Sequence, residues 1–457
     1  MITGKDLIDM GYKPNKLFKD AIEYANKHDL KGDALKVYMD SITPVYIEPY
    51  DEPISFFRNI RAENEEEKLN VESVISVMNQ IMVTPTIVNG CLMPDSCPTK
   101  DGEIPVGGVV VTRGAIHPAM HSADICCSVM MTNFGKIEPK LILDTAHSIA
   151  HFGGGGRNDL FDFPKELEEK IKNNFFLKDE KSLHLAKTHL GTCGDGNHFI
   201  FVGKSKNSEE TIIVSHFGSR GFGANLYKKG MEVAERFRKE ISPKTSPKNA
   251  WIPFDTNEGR AYWDALQIVR EWTKLNHTVL HQTICDKLNI NPVDRFWNEH
   301  NFVFKDDNDL FYHAKGATPL SDKFVPDSKD GLRLIPLNMG QPILIVKGET
   351  TKNNLGFAPH GAGRNISRGQ HKRNKSDKTI EEIFADETKG LDVRFFSKNI
   401  DISELPSAYK NADMVKRQMQ EFGLGEVVDE IYPYGSIMAG DWQIDALWKK
   451  KKKNRIN

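Results

Sequence analysis

Along residues 1–45, apolar positions return every three or four residues in "DLIDMGYKPNKLFKDAIEYANKH", interrupted by Gly11 and Pro14. That spacing predicts short helices, because one side of a 3.6-residue turn can then face a core. From about residue 70 to 135 the pattern shifts to short β-branched runs, "VTPTIVNG", "VGGVVVTRG" and "CCSVMMTNFG". Such runs, bounded by glycines, predict strands and tight loops. "TIIV" at 211–214 is a buried-strand candidate ending at Ser215 and His216, and 258–288 carries the period of one long amphipathic helix. "LFYHAKGATPL" and "LRLIPLNMGQPILIVKG" return to strand patterns, whereas 379–430 is expected to be mostly helical. "GGGGR" at 153–157 is expected to be a flexible or phosphate-facing loop. The sum is an α+β chain without an internal repeat or long linker. The expected division is an N-terminal helical extension over 1–65, a catalytic domain over 66–440 and a basic tail over 441–457.

Composition narrows the class. Hydrophobic residues make up 39% and charged residues 27%, which is ordinary for a soluble globular protein. No apolar run approaches the roughly 18 residues of a spanning helix, so no membrane partner is expected. "MITGKDLIDMGYKPNK" has no apolar signal region, and a cytoplasmic protein is expected. The 61 basic and 63 acidic side chains leave a net charge of −2. Any contact with nucleic acid must therefore be local. Two basic runs qualify, "HKRNKSDK" at 371–378 and "KKKKKNR" at 449–455, although such runs are commonly solvated faces or tails. The six cysteines (91, 97, 126, 127, 193 and 285) contain no CxxC pair and suggest no disulfide framework.

"PHGAGRNISR" at 359–368 places His360 beside Gly361, Ala362 and Gly363, with Arg364 and Arg368 close behind. The segment suits a phosphate held against the main chain with an imidazole set to attack it, or else a surface turn with a stray histidine. A second set of candidates carries metal-ligand chemistry. Asp124 and Cys127 stand three apart in "SADICCS", His198 follows the glycine-rich turn of "GTCGDGNHF", His216 ends a strand in "VSHFGSRG", and His300 lies in "NEHNF". Imidazole and thiolate suit zinc-like ions, while a carboxylate admits harder Mn²⁺. A thiolate can also bridge two ions, and a pair of ions can clamp a phosphate. The spacing matches no zinc-finger pattern, and each histidine taken singly reads equally as a structural residue.

Taken in order, the motifs resemble the RtcB family of RNA ligases over roughly residues 70–440. The resemblance rests on "MPD" (93–95), "GGVVVTRGAIHPAMHSADICCSV" (107–129), "LGTCGDGNHFI" (190–200), "HFGSRGFG" (216–223) and "HNFV" (300–303). It continues through "KGATP" (315–319), "NMG" (338–340), "HGAGRNISR" (360–368) and "LPSAYK" (405–410). It implies the family's own α+β fold around a central metal-binding cleft. The implied activity joins RNA 2′,3′-cyclic-phosphate or 3′-phosphate ends to 5′-hydroxyl ends, in RNA repair or tRNA splicing, using two Mn²⁺ ions and GTP. His360 then matches the histidine that becomes guanylylated, and Asp124, Cys127, His198, His216 and His300 match the metal ligands. Positions matching the nucleotide site are Asn197, His198, Phe199, Phe201, His300, Asn301, Asn338, Met339, Ile343, Gly361, Ala362, Gly363 and Ala439. Partners implied are broken RNA, a nucleoside triphosphate and an accessory activator.

Departures from the family pattern cluster by role. Phe201, Ile343 and Ala439 stand where the resemblance places polar contacts to guanine. A phenyl ring cannot accept from the base N1–H and N2 amino groups, so a nucleotide choice different from the family norm is expected. Cys97, Cys126, Ser128 and Asn338 also depart. His277 follows Asn276 in place of an arginine, which is expected to weaken contacts with RNA phosphates. A metal-dependent phosphodiesterase that processes RNA ends and a non-catalytic RNA-binding paralogue are the rival readings.

Overall fold

The computed structural model describes residues 1–14, 17–43, 46–99, 102–325, 328, 330–374 and 378–442. The lysine-rich run at 449–455 and residues 375–377 of the other basic run lie outside the described residues. Three short helices open the chain, at Gly4–Asp9, Phe18–Lys27 and Gly32–Ile42. Thr3 and Asp6 form a capping box that starts the first. Their apolar sides close over a core of their own, made by Leu7, Phe18, Ala21, Ala25, Leu35 and Met39.

Two stretches differ from the pattern reading. Glu65–Ile81 is a helix rather than the start of the strand region. Asn64 caps it by accepting from the Glu67 N–H, and Val74, Val77, Met78 and Ile81 fall on one buried face. Strand structure begins at Ile87. Over 379–430, single 3-10 turns lie at Ile402–Glu404 and Pro406–Ala408, and α-helices occupy only Ile380–Glu387 and Ala412–Glu421. A short strand lies between them, and the chain becomes extended again from Glu426, where Val427, Val428 and Ile431 favour a pleated surface.

Two sheets carry the architecture. The smaller orders Phe57–Arg58, Ile87–Cys97, Val106–Arg113, Leu310–Lys315 and Asn301–Lys305. The larger uses β1 (Ser128–Asn133), β2 (Phe199–Ser205), β3 (Thr211–Phe217), β4 (Asp294–Glu299), β5 (Arg333–Pro336), β6 (Ile343–Lys347), β7 (Asp392–Phe395) and β8 (Glu426–Met438). Its order is β5-β6-β8-β2-β3-β1-β4, antiparallel throughout, with β7 parallel to β8.

Side chains alternate between the faces of the larger sheet. One face carries Val129, Met131, Phe201, Val214, Ile343 and Ile345. The opposite face packs Ile200, Val202, Ile213 and Ile437 against the helix Pro139–Ile149 and the C-terminal part of the long helix Asn257–Leu288. That long helix also supplies a buried polar chain. His277 meets Ser128 Oγ at 3.1 Å and Ser215 Oγ at 2.6 Å, and His281 meets Ser215 Oγ and Thr132 Oγ1, both at 2.7 Å. His277 is fully buried behind the sheet. It therefore makes no phosphate contact, and the weakening of RNA binding expected from its loss of charge does not follow.

Burial, joined at His281 by the Arg295 charge, holds several imidazoles neutral: His117 and His281 are pulled down to about 3 and His121 to about 4. In the unfolded chain these rings protonate near pH 6.5, so the unfolded state binds more protons below that value. Stability from these groups is fully present above about pH 6.5 and is lost as pH falls toward about 3. With three groups, the slope approaches roughly 4 kcal/mol per pH unit. Denaturant titrations are expected to show a midpoint that falls steeply from pH 6.5 to 5. A midpoint flat over that range would contradict this assignment.

Candidate metal and nucleotide site

Strand pairing brings the five candidate ligands together. Cys127 immediately precedes β1 and His300 immediately follows β4. The antiparallel register pairs Ser128 with Glu299, so those two residues are neighbours, joined by the His300 N–H to the Cys127 carbonyl at 2.9 Å. His216 in β3 lies opposite Val129 on one side and Phe199 on the other. His198, just before β2, thus arrives beside His216. Asp124 comes from the loop before β1, tied to Cys127 by a backbone hydrogen bond of 3.2 Å. Gly218 keeps room for it: a Cβ there would meet Asp124 Oδ1 at 1.8 Å.

The donor atoms face one another. Cys127 Sγ lies 3.1 Å from His216 Nε2 and 3.5 Å from His198 Nε2. His216 Nε2 is 3.1 Å from His300 Nε2, and His198 Nε2 is 3.0 Å from Asp124 Oδ2. Two trios result, Cys127–His216–His300 and Asp124–Cys127–His198, each with its donor atoms within 4.8 Å of one another. Each trio is compact enough to hold a metal ion. Cys127 belongs to both. The Nδ1 of His198 lies 2.9 Å from the Cys193 carbonyl, which can only accept. Nδ1 therefore holds the proton and Nε2 is left as a lone-pair donor.

Electrostatics agree with ligand roles. Burial holds His216 and His300 well below the usual imidazole value, so both are neutral donors at pH 7. Burial would raise Asp124, but His198, Cys127 and Arg220 more than offset it and leave the carboxyl below its ordinary value. Burial and the Asp124 charge push the Cys127 thiol well above its ordinary value.

His360 stands beside this cluster, its ring centroid 5.0 Å from that of His300. Its Nδ1 lies 2.6 Å from Asp95 Oδ2, and the same oxygen accepts from the His360 and Gly361 N–H groups at 3.1 and 3.3 Å. A carboxylate oxygen only accepts, so Nδ1 carries the proton and Nε2 keeps its lone pair. Lys410 braces the support by donating to the carbonyls of Pro94 and Ser96. Gly363, with φ +70°, lets the loop cross this segment: a Cβ would meet the Asp95 carbonyl at 1.9 Å.

A cavity of about 400 Å³ lies over these groups, walled by both sheets and the segments around 337–339 and 360–364. It is lined by His360, Gly361, Ala362 and Gly363, by Asp124, Cys127, His216 and His300, and by Asn197 and Asn301. Phe199, Phe201, Asn338, Met339 and Ile343 also line it, whereas His198 sits beneath, against Asp124 and Cys127. Ala439 does not line it; that side chain packs in the core with Ile142, Leu143 and Ile437, and Ser436 and Met438 face the cavity instead. Arg364 and Arg368 reach the lining but both hold Glu404, at 2.8 and 2.6 Å, so one buried carboxylate absorbs part of their charge.

Three contributors carried no role in the sequence reading. Asp95 sits in the quoted "MPD" segment, where an acid inside an apolar run is itself a signal of a buried partner. Glu404 precedes "LPSAYK". Lys315 opens "KGATP"; it is partly buried, donates to the Ile104 carbonyl at 3.2 Å and lines the cavity, and burial lowers its pKa.

Residues 162–439 match the family model described as tRNA-splicing ligase RtcB. The protein of that name from Aeropyrum pernix is 26% identical over 410 residues, covering 72% of this chain and 84% of its own length. The one from Thermococcus kodakarensis is 22% identical over 448 residues, with 81% and 92% covered. The one from Methanocaldococcus jannaschii is 25% identical over 320 residues, with 60% of this chain and 33% of the relative covered.

Because the Cys127 thiol is protonated without an ion, loading the site must release its proton. Affinity for a divalent ion is expected to rise about tenfold per pH unit between roughly pH 6 and 8. Calorimetry in buffers of different ionisation enthalpy should report that proton, and Cys127→Ser should remove it. Metal uptake by the wild type with no buffer dependence would refute the thiolate ligand.

Proposed function

The chain belongs to the RtcB family, whose model spans more than half of it, and from that premise we propose that it is an RNA ligase. It joins RNA 3′-phosphate ends, or 2′,3′-cyclic-phosphate ends once opened by water, to 5′-hydroxyl ends through nucleotidylated His360. The observation that carries this reading is the Asp95–His360 pair, which leaves one imidazole lone pair free beside a donor set with a shared thiolate. Neither a hydrolase nor a pure RNA binder has a use for a nucleophile oriented in this way.

His360 Nε2 attacks the nucleotide α-phosphorus, the bond to the bridging oxygen breaks, and pyrophosphate leaves. Asp95 holds the Nδ1 proton throughout, stabilising the charge that the ring gains. An oxygen of the RNA 3′-phosphate then takes the nucleotidyl group and the P–N bond breaks, which restores His360. The 5′-hydroxyl oxygen attacks the RNA 3′-phosphorus, its proton passes to solvent and the nucleoside monophosphate departs. Mn²⁺ ions held by the two trios would neutralise charge on the phosphates. Lys315 supplies a further cation, and Gly361 and Gly363 admit the phosphate close to the main chain.

GTP is the nucleotide that family resemblance implies, but the base end of the cavity argues for weak selection of guanine. Phe199, Phe201, Met339, Ile343 and Met438 wall it with carbon. The two carboxylates among its described lining residues, Asp124 and Glu404, are engaged elsewhere. Ser436 Oγ is a buried hydroxyl there without a partner. One hydroxyl matches the two guanine donors less well than the two oxygens of a carboxylate, and a donor left unpaired costs about 1–3 kcal/mol. Adenine presents fewer donors on that edge.

Incubation with Mn²⁺ and each labelled nucleoside triphosphate is expected to give an acid-labile adduct that His360→Ala abolishes. Failure of every nucleotide to label the wild type would contradict the ligase reading. ATP is expected to label at least as well as GTP, with Phe201→Glu shifting the ratio toward GTP by tenfold or more; strict GTP labelling by the wild type would refute weak selection. Asp95→Asn keeps the shape of the pair but loses the charge, and is expected to slow adduct formation by about a hundredfold, read by rapid quench.

A further inference from the structure

The glycine run at 153–156 and the chain beyond β8 play no part in the chemistry above, yet they meet at the edge of the site. Trp442 lies across the glycines: a Cβ on Gly154 would come within 2.7 Å of its ring, and one on Gly153 within 3.6 Å. No side chain larger than hydrogen fits beneath the ring at 154. The indole Nε1–H donates to Asp195 Oδ2 at 3.2 Å, which fixes the ring's orientation. With one side of the ring laid on bare backbone, Trp442 remains 40% exposed.

This ring is wired to the catalytic turn. Asp195 opens the turn that carries Asn197, which lines the cavity, and His198, a metal-trio member. The Gly153 N–H donates to the Gly194 carbonyl at 2.7 Å, and Arg220 donates to the Gly153 carbonyl at 2.9 Å. Beside the same turn lies Arg368, with its side chain 49% exposed and a guanidinium nitrogen 3.7 Å from where a Gly196 Cβ would stand. An exposed aromatic face and an exposed cation thus flank the turn. Aromatic faces and arginines in this combination bind single-stranded nucleic acid, the ring taking a base and the cation a phosphate.

We propose that Trp442 is a stacking platform for an unpaired nucleobase of the RNA strand whose end enters the cleft, with Arg368 taking a neighbouring phosphate. The nature of the polymer rests on the ligase reading. Preorientation by Asp195 reduces the entropy lost on stacking. Because every base has a π-face, the platform positions the end without reading its sequence.

The test uses the full-length protein and single-stranded RNA 3′-phosphates that carry either normal bases or abasic sites in the last few nucleotides. Wild type is expected to prefer the base-bearing RNA. Trp442→Ala should weaken that RNA about tenfold while leaving the affinity for abasic RNA unchanged, and Trp442→Phe should restore most of the loss. Equal binding of the two RNAs by wild type, or an equal loss for both in Trp442→Ala, would overturn the platform. Nucleotide labelling of the wild type, read in parallel, keeps the two readings apart. An absent adduct removes the ligase assignment, whereas base-dependent binding lost with the ring supports stacking regardless.

Discussion

A single sulfur shared by two groups of donors is the constraint on which the rest of the structure depends. Cys127 must face His198 and Asp124 on one side and His216 and His300 on the other. No loop alone could place it so. The register of three antiparallel strands does, because β1 lies between β3 and β4 and both neighbours deliver a histidine at the end where Cys127 begins. The glycine at 218 and the left-handed residues Ser122 and Cys126 then fold the Asp124 loop against that end.

The larger sheet supplies the proposed ligands and the smaller sheet supplies what holds the proposed nucleophile. Asp95 lies in the strand Ile87–Cys97, and His360 follows the short strand Phe357–Pro359. Their hydrogen bonds join parts of the chain 265 residues apart. The chemistry therefore sits at the junction of two independently braced layers. Neutral buried histidines behind the sheet serve the same end, holding β1 and β3 against the long helix without placing charge near the ligands.

Much of this was legible in the residues. The long helix, the strand beginning at 211 and the strand patterns of β5 and β6 follow from periodicity alone, and two of the five candidate ligands, His198 and His216, stood beside glycines that mark close backbone approach. Other features were hidden for physical reasons. The helix Glu65–Ile81 shares its valines and isoleucines with strand patterns, so composition misled where spacing would have decided. The place of His277 could not be read from its type, since burial behind the sheet depends on packing of the whole helix. Asp95 and Glu404 act through partners far away in sequence, which no local spacing reveals. Ala439 was misplaced by one residue, and in a strand one residue exchanges the cavity face for the core face.

The most direct test of the central claim is electron paramagnetic resonance of the protein loaded with about two equivalents of Mn²⁺. A thiolate common to both trios predicts an exchange-coupled pair in the wild type that is lost in Cys127→Ser. The separate six-line spectra of two isolated ions in the wild type would contradict it.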